Sequence, residues 1–195
     1  MKNRFFRSLI MTVMSALLTI TATAGEKPTN EKKVTPQGKY LSPKEAYEMK
    51  QANPDSVLFI DVRTPEELYF VGYPSNIDRN IPIMYVNYDK LKELKNGKVK
   101  YATRKNENFV SDIEKTLAQK KMGKDSAIIL ICRSGHRSAK AARILDKAGY
   151  KNVYSVDEGV EGDKDKKKHR SVNGWKNAGM PYTYTLKKEI LAPSR

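Results

Sequence analysis

Two stretches of this chain are apolar at every position: Val57-Leu58-Phe59-Ile60 and Ala127-Ile128-Ile129-Leu130-Ile131. A strand with one wet face alternates apolar and polar residues, so an unbroken run predicts a strand covered on both faces, the pattern of a parallel sheet. Val153 to Val156 reads as a further short strand. Between these runs the apolar period lengthens to that of helices. Ser42-Pro43-Lys44-Glu45 is a capping box with proline at the first helical position. Ala46, Tyr47 and Met49 supply the buried face of that helix before Asn53-Pro54-Asp55 ends it. Thr64-Pro65-Glu66-Glu67 opens a second, short helix through Leu68 and Phe70. Ser111-Asp112-Ile113-Glu114 opens a third, with Ile113 and Leu117 one turn apart. Ala141, Ile144, Leu145 and Ala148 mark a fourth, which Gly149 stops. A small helix is expected around Trp175.

Strands alternating with helices predict an α/β domain, a mainly parallel central sheet with helices on both faces. Its expected bounds are 41–184. Residues 25–40 are polar, lack an apolar period and read as a flexible lead-in. Residues 185–195 read as a loose C-terminal tail, and residues 83–108, rich in tyrosine and lysine, as an insertion. In parallel sheets ligands bind beyond the carboxyl ends of the strands. Asp61-Val62-Arg63 and Cys132 to Ser138 both lie at such ends, so two strand ends can meet at one site.

The first 24 residues stand apart from the domain. Lys2, Arg4 and Arg7 precede the mostly apolar Leu9 to Ile20, and Ala22-Thr23-Ala24 supplies small residues for cleavage. This is the layout of a secretory signal peptide, with an apolar run short for a membrane span. The expectation is a periplasmic protein beginning near Gly25, with no stable membrane span after cleavage; an uncleaved anchor is the alternative. The formal charge of +15 falls only to about +12 once the signal is removed. No base-reading motif or basic-aromatic array accompanies that charge, and an exported protein rarely meets nucleic acid, so nucleic acid is set aside. Small sulfur or phosphorus oxyanions, an acidic partner protein and anionic lipid surfaces remain.

Cys132 is the only cysteine. Exported proteins commonly pair cysteines as disulfides, and a lone one cannot pair within its own chain. It is either a small buried hydrophobe or a reactive thiol, and its setting decides. It follows a buried strand and precedes a helix, so backbone N–H groups can gather round the sulfur beside the positive end of the helix dipole. Arg133, His136 and Arg137 add positive potential, and Gly135 permits the turn that a nest of N–H groups requires. Each feature favours thiolate over thiol, and thiolate is the nucleophile. The same N–H groups would cradle an oxyanion or the terminal sulfur of a persulfide.

These residues, together with others along the chain, resemble the rhodanese family. The match runs from about Ser42 to Tyr184. It takes in Asp61-Val62-Arg63-Thr64-Pro65-Glu66-Glu67, Asn80-Ile81-Pro82, the Cys132–Arg137 loop, Asp157-Glu158-Gly159, Gly174-Trp175 and Ala178-Gly179-Met180-Pro181. The resemblance implies a sulfurtransferase. Cys132 would take a sulfane sulfur from a small anionic donor such as thiosulfate, release sulfite, and pass the sulfur to a thiophilic acceptor. It implies Cys132 as the catalytic residue and Arg133, Ser134, Gly135, His136, Arg137 and Ser138 as the substrate-binding loop. It calls for no metal and no cofactor beyond the covalent cysteine persulfide. The chain departs from the family where Gly72-Tyr73-Pro74-Ser75 stands in place of the usual Gly-His-Ile-Pro-Gly-Ala, and again in the 83–108 insertion. Cys132 to Arg137 is a Cys-x4-Arg loop of six residues. Phosphatases and arsenate reductases that resemble this domain use Cys-x5-Arg, whose extra residue widens the cradle for a tetrahedral centre. Sulfur transfer is therefore favoured over phosphoryl transfer. A sulfur carrier or anion-binding protein without turnover needs the same loop and stays as the alternative.

The remaining residues carry weaker expectations. Asp61 either pairs with an arginine of the active loop or caps the turn after its strand. Arg63 either adds charge near the sulfur or is solvated. Glu66 and Glu67 are helix-start residues. Trp175 belongs to the core, and His169 has no companion ligands for a metal. The basic run from Lys164 to Arg170 follows the Val153–Val156 strand and is expected to rim the site.

Overall fold

The computed structural model of the chain describes residues 25–191; the expected signal peptide lies outside them. In order, the elements are a 3-10 turn (Glu31–Lys33), β1 (Tyr40–Leu41), α1 (Pro43–Ala52), β2 (Val57–Asp61), α2 (Pro65–Val71), β3 (Tyr73–Pro74) and β4 (Arg79–Asn80). There follow β5 (Met84–Glu93), β6 (Val99–Lys105), α3 (Phe109–Gln119), β7 (Ala127–Ile131), α4 (His136–Lys147), β8 (Val153–Val156) and β9 (Tyr182–Thr183). Five strands form one sheet in the order β1-β8-β7-β2-β4, and every neighbouring pair is parallel.

Burial on both faces explains the unbroken apolar runs. Leu58, Ile60, Ile128 and Leu130 pack in one layer with Phe109, Ile113 and Leu117 of α3 and Ala141 and Leu145 of α4. Val57, Phe59, Ile129 and Ile131 pack on the opposite face with Ala46 of α1, Leu68 of α2 and Trp175. At roughly 2 kcal/mol for each fully buried aliphatic side chain, these two layers are the main force holding the sheet. The α/β fold with helices on both faces is as the pattern predicts.

Local signals succeed where both partners lie within one turn. Ser42 Oγ accepts from Glu45 N at 3.3 Å, while Glu45 Oε2 accepts from Ser42 N at 2.8 Å. The third expected capping box fails. α3 begins at Phe109, and Ser111 Oγ, already inside it, donates to Asn108 O at 3.0 Å. Burial of Phe109, 2% exposed, draws the preceding turn into the helix. No helix forms around Trp175 either. Its N–H donates to Gly159 O (2.8 Å), that of Lys176 to Val160 O (3.0 Å), and the indole N–H to Pro181 O (2.9 Å). These bonds tie the segment to a neighbouring one, which leaves a run of turns.

Both expected tails are packed. The 25–40 segment lies along α4, with Arg143 donating to Val34 O (2.5 Å) and Gln37 to Ala142 O (3.1 Å). Lys33, 4% exposed, pairs with Asp163 at 2.7 Å. Asn80 N donates to Ile190 O at 2.7 Å, so the C-terminal segment is anchored as far as Leu191. These contacts are polar and long-range, and an apolar period does not reveal them. The 83–108 insertion is an antiparallel hairpin of β5 and β6.

Candidate active site

β7 ends at Ile131 and α4 begins at His136, so Cys132 to Gly135 form the whole connection. The helix thus starts four residues after Cys132. Gly135 has φ +85°, and a side chain there would collide with the Asp157 carbonyl. Gly159, at φ +69°, lies equally close to the backbone of Cys132, Arg133 and Ser134. Only glycine lets these two loops press backbone to backbone. Their contact has a directed consequence. Val160 N donates to Cys132 O (2.8 Å) and Glu161 N to Arg133 O (2.9 Å), which ties the loop carbonyls to the 159–162 segment. Among the described residues, the backbone N–H groups of Arg133 to Ser138 find no backbone acceptor. They are left for an anion at the N-terminus of α4.

Cys132 is 1% exposed and shares a face of the sheet with Leu130. Ser138 Oγ stands 3.7 Å from the sulfur, donates to Gly135 O at 2.9 Å, and accepts from Ser155 Oγ at 3.0 Å. Ser138 has a single hydroxyl proton. A thiol can therefore donate to Ser138, whereas a thiolate competes with Gly135 O for that proton while Ser155 supports the hydroxyl from behind. Ser155, on the neighbouring strand, carries no local motif that would single it out.

The charged residues are arranged otherwise than the sequence suggests. Glu67 holds the loop arginine: its two carboxylate oxygens accept from Arg137 Nη1 and Nη2, each at 2.5 Å. It also caps α2, accepting from Thr64 N at 3.2 Å. Burial works against the Glu67 carboxylate. The bonds and charge of Arg137, with the nearby charge of Arg63, outweigh it and hold Glu67 below the usual range. Burial likewise opposes the Arg137 guanidinium, but Glu67, then the Cys132 and Asp61 charges, raise it further. Of the two roles open to Asp61, it caps the turn after its strand and does not pair with an arginine of the active loop. In the sheet register it pairs with Ile131 rather than Cys132, so it points to the other face. There it accepts from Arg63 N (2.9 Å) and pairs with the Arg63 side chain at 2.7 Å, both residues fully buried. Arg63 is thus neither solvated nor beside the sulfur; its charge reaches the loop through Glu67.

Cys132, Arg133, Ser134, His136, Arg137 and Arg170 line a cavity of about 290 Å³. Arg170 alone represents the basic 164–170 loop in this lining, and its Nη1 donates to Gly162 O at 2.5 Å. Lys166, Lys167 and Lys168 are exposed. His136 Nδ1 lies 3.1 Å from Ser134 O and its Nε2 lies 3.4 Å from Asn30 Nδ2. A carbonyl only accepts and an amide nitrogen only donates, so this geometry suits the neutral ring protonated on Nδ1. The site thus gathers Cys132 to Ser138 with Arg170 from the expected basic rim, and adds Glu67, Ser155 and Asn30. Glu67 was obscured by its sufficient local explanation as a cap. Among the described residues, no group of three or more His, Cys, Asp or Glu side chains is placed to hold a metal ion.

Residues 42–166 match the rhodanese-like domain family. An uncharacterized protein of Rickettsia prowazekii is 32% identical over 139 residues, 71% of this chain and 92% of the relative. Among solved structures, Rv0390 from M. tuberculosis is 30% identical, with a TM-score of 0.52 over 75% of this chain and 97% of its own. The polysulfide-sulfur transferase homodimer from Wolinella succinogenes is 25% identical over 74% of this chain and 77% of its own, with a TM-score of 0.43.

Proposed function

This chain belongs to the rhodanese-like domain family, and we propose that it is a sulfurtransferase that carries a sulfane sulfur on Cys132. One observation carries this reading. A lone buried thiol lines a small cation-rimmed cavity, inside a six-residue loop whose N–H groups have no backbone acceptor. In the first half-reaction the Cys132 thiolate attacks the outer sulfur of a donor such as thiosulfate. A bond forms from Sγ to that sulfur, the donor S–S bond breaks, and sulfite leaves with the bonding pair. In the second, a thiophilic acceptor such as cyanide attacks the terminal sulfur, the persulfide bond breaks, and the thiolate returns.

The chain supplies groups suited to each stage. Loop N–H groups and the α4 dipole favour the anionic sulfur before and after transfer. Arg133, exposed, and Arg170 line the same cavity, which supports a role for both in meeting the donor's oxygens. Arg137 is clamped by Glu67, so it acts as a fixed positive charge rather than a mobile ligand for substrate. The Cys-x4-Arg span again favours a sulfur over the tetrahedral centre of a phosphate or arsenate.

Two measurements test the proposal. Intact mass after incubation with thiosulfate should show an adduct of one sulfur atom, removed by reductant and absent in Cys132→Ser. Steady-state thiosulfate-to-cyanide turnover distinguishes an enzyme from a carrier. A protein that never gains the sulfur refutes both. We also propose that the protein works in the periplasm, on the strength of its basic, apolar and small-residue N-terminal order. N-terminal sequencing of the periplasmic protein should find the chain beginning near Gly25; recovery only from the cytoplasm overturns that placement.

A further inference from the structure

The β5–β6 hairpin is unlike the rest of the molecule. Residues 84–105 hold seven lysines and arginines against two acidic residues, Asp89 and Glu93. Beyond the irregularity between Asn87 and Leu91, its pairs are Leu91 with Tyr101, Lys92 with Lys100, and Glu93 with Val99. Directly paired residues share a face, and successive pairs alternate. One face of the ribbon therefore carries Leu91, Val99 and Tyr101, exposed at 58%, 57% and 51%, with the single carboxylate of Glu93 opposite Val99. The other sets Lys92 directly opposite Lys100. Like charges in that position destabilise a ladder. Among the described residues, no carboxylate forms an ion pair with either lysine. A two-stranded ribbon is marginal in water even without such a pair.

The middle of the ribbon is tied to α2. Tyr88 Oη donates to Glu66 Oε1 at 2.9 Å, and the next residue, Glu67, clamps Arg137. A partner on the hairpin is thereby held against α2, the helix whose Glu67 clamps Arg137.

We infer that the β5–β6 hairpin is a docking arm for an acidic partner protein that clasps it, with carboxylates on the Lys92–Lys100 face and apolar groups on the Leu91–Tyr101 face. Charge complementarity selects the occupant. A second copy brings the same excess of positive charge and is repelled. A flat anionic bilayer meets one face only, so it leaves either the paired lysines or the apolar side chains uncovered. A protein groove covers both. The inference is independent of which sulfur compound Cys132 accepts.

The test uses the full-length protein and, as a probe, a glutamate–tyrosine random copolymer, which offers carboxylates and aromatic groups together. The variants are Lys92→Gln with Lys100→Gln, Leu91→Ser with Tyr101→Ser, and, as a charge control, Lys166→Gln with Lys167→Gln. Each hairpin variant should weaken copolymer binding by about tenfold, and the control by less than about twofold. Thiosulfate turnover should match the parent in all of them, which reports an intact fold and keeps this test apart from that of the chemistry. Equal losses in hairpin and control variants would overturn the inference in favour of diffuse charge. So would undiminished binding in the Leu91, Tyr101 variant. Binding of parent to phosphatidylglycerol vesicles that the hairpin variants lose would assign the arm to lipid instead. A parent dimer that the variants lose would assign it to a second copy.

Discussion

Among the described residues, two concavities lie at opposite ends of the same sheet, and the larger of the two is the less chemical. At the amino ends of the strands, Leu41, Met49, Val57, Ala127 and Tyr154 line a cavity of about 790 Å³, with Glu45, Glu48 and Asp125 as its charged residues. At the carboxyl ends, the cavity around Cys132 is about 290 Å³ and its charged residues are Arg133, Arg137 and Arg170, beside His136. Size favours the first and chemistry the second. The reason lies in the direction of the chain. In a parallel sheet a strand's carboxyl end runs into the N-terminus of the next helix, where free N–H groups accumulate; the amino ends receive helix C-termini and their carbonyls. Anion chemistry therefore has a natural place at one end only.

The largest effect should come from removing the nucleophile. Cys132→Ser should lower thiosulfate-to-cyanide turnover by at least about a thousandfold, because a hydroxyl ionises far less readily than a thiol. Circular dichroism and Tm should stay near the parent's. Glu48→Gln, in the larger cavity, should change turnover by less than about twofold. If the two variants lose activity alike, the contrast between the cavities collapses.

Glu67→Gln probes whether Arg137 must be held. Removing one partner of this largely buried pair should cost about 2 kcal/mol of stability and lower kcat/KM by roughly tenfold to a hundredfold. The pH dependence follows from Glu67 lying below its ordinary value of 4.5. A depressed folded value gives stabilisation that is present above the unfolded value and lost as pH falls through the folded one. The Tm gap between parent and variant should thus be full at neutral pH and narrow as the pH falls below 4.5. A gap that persists unchanged into acid would mean that packing, not the ion pair, is what the substitution removed.

Arg170→Gln should act on capture rather than chemistry. KM for thiosulfate should rise about threefold to tenfold at low ionic strength, with kcat nearly constant. The difference should shrink as the screening length falls to about 10 Å at 0.1 M salt. A fall in kcat at constant KM would instead place Arg170 on the transferring sulfur.

The smallest effect concerns Asp157, whose backbone presses on Gly135. Burial raises this carboxyl to about 6, against the opposing charge of Lys33. The folded protein then binds this proton more tightly than the unfolded chain does, so stability falls as pH rises from 3.8 to about 6 and is level above. Asp157→Asn removes that loss. With allowance for partial exposure, the variant should be more stable by about 1 kcal/mol above pH 6, with the gain vanishing near pH 4. Denaturant titrations at the two pH values measure it; a gain at pH 4 equal to that at neutral pH would rule out titration as its source.

The amino-acid sequence alone determined what is local. The unbroken runs at 57–60 and 127–131 specified strands buried on both faces, because nothing else uses consecutive aliphatic side chains economically. Ser42 and Glu45 specified a helix start, because their bonds close within one turn. Cys132 and the next six residues specified a cation-rich turn from strand into helix, because charge, glycine and helix start are contiguous there. What only the tertiary structure decided depends on register and strand order. Asp61 lost the loop arginine because its register with Ile131 turns it to the far face. Glu67 gained that arginine from a residue 70 positions away. Asn30 reaches His136 from a segment with no apolar period to announce it. Polar side chains are directed by partners that arrive from elsewhere in the chain, and no window of neighbouring residues contains those partners.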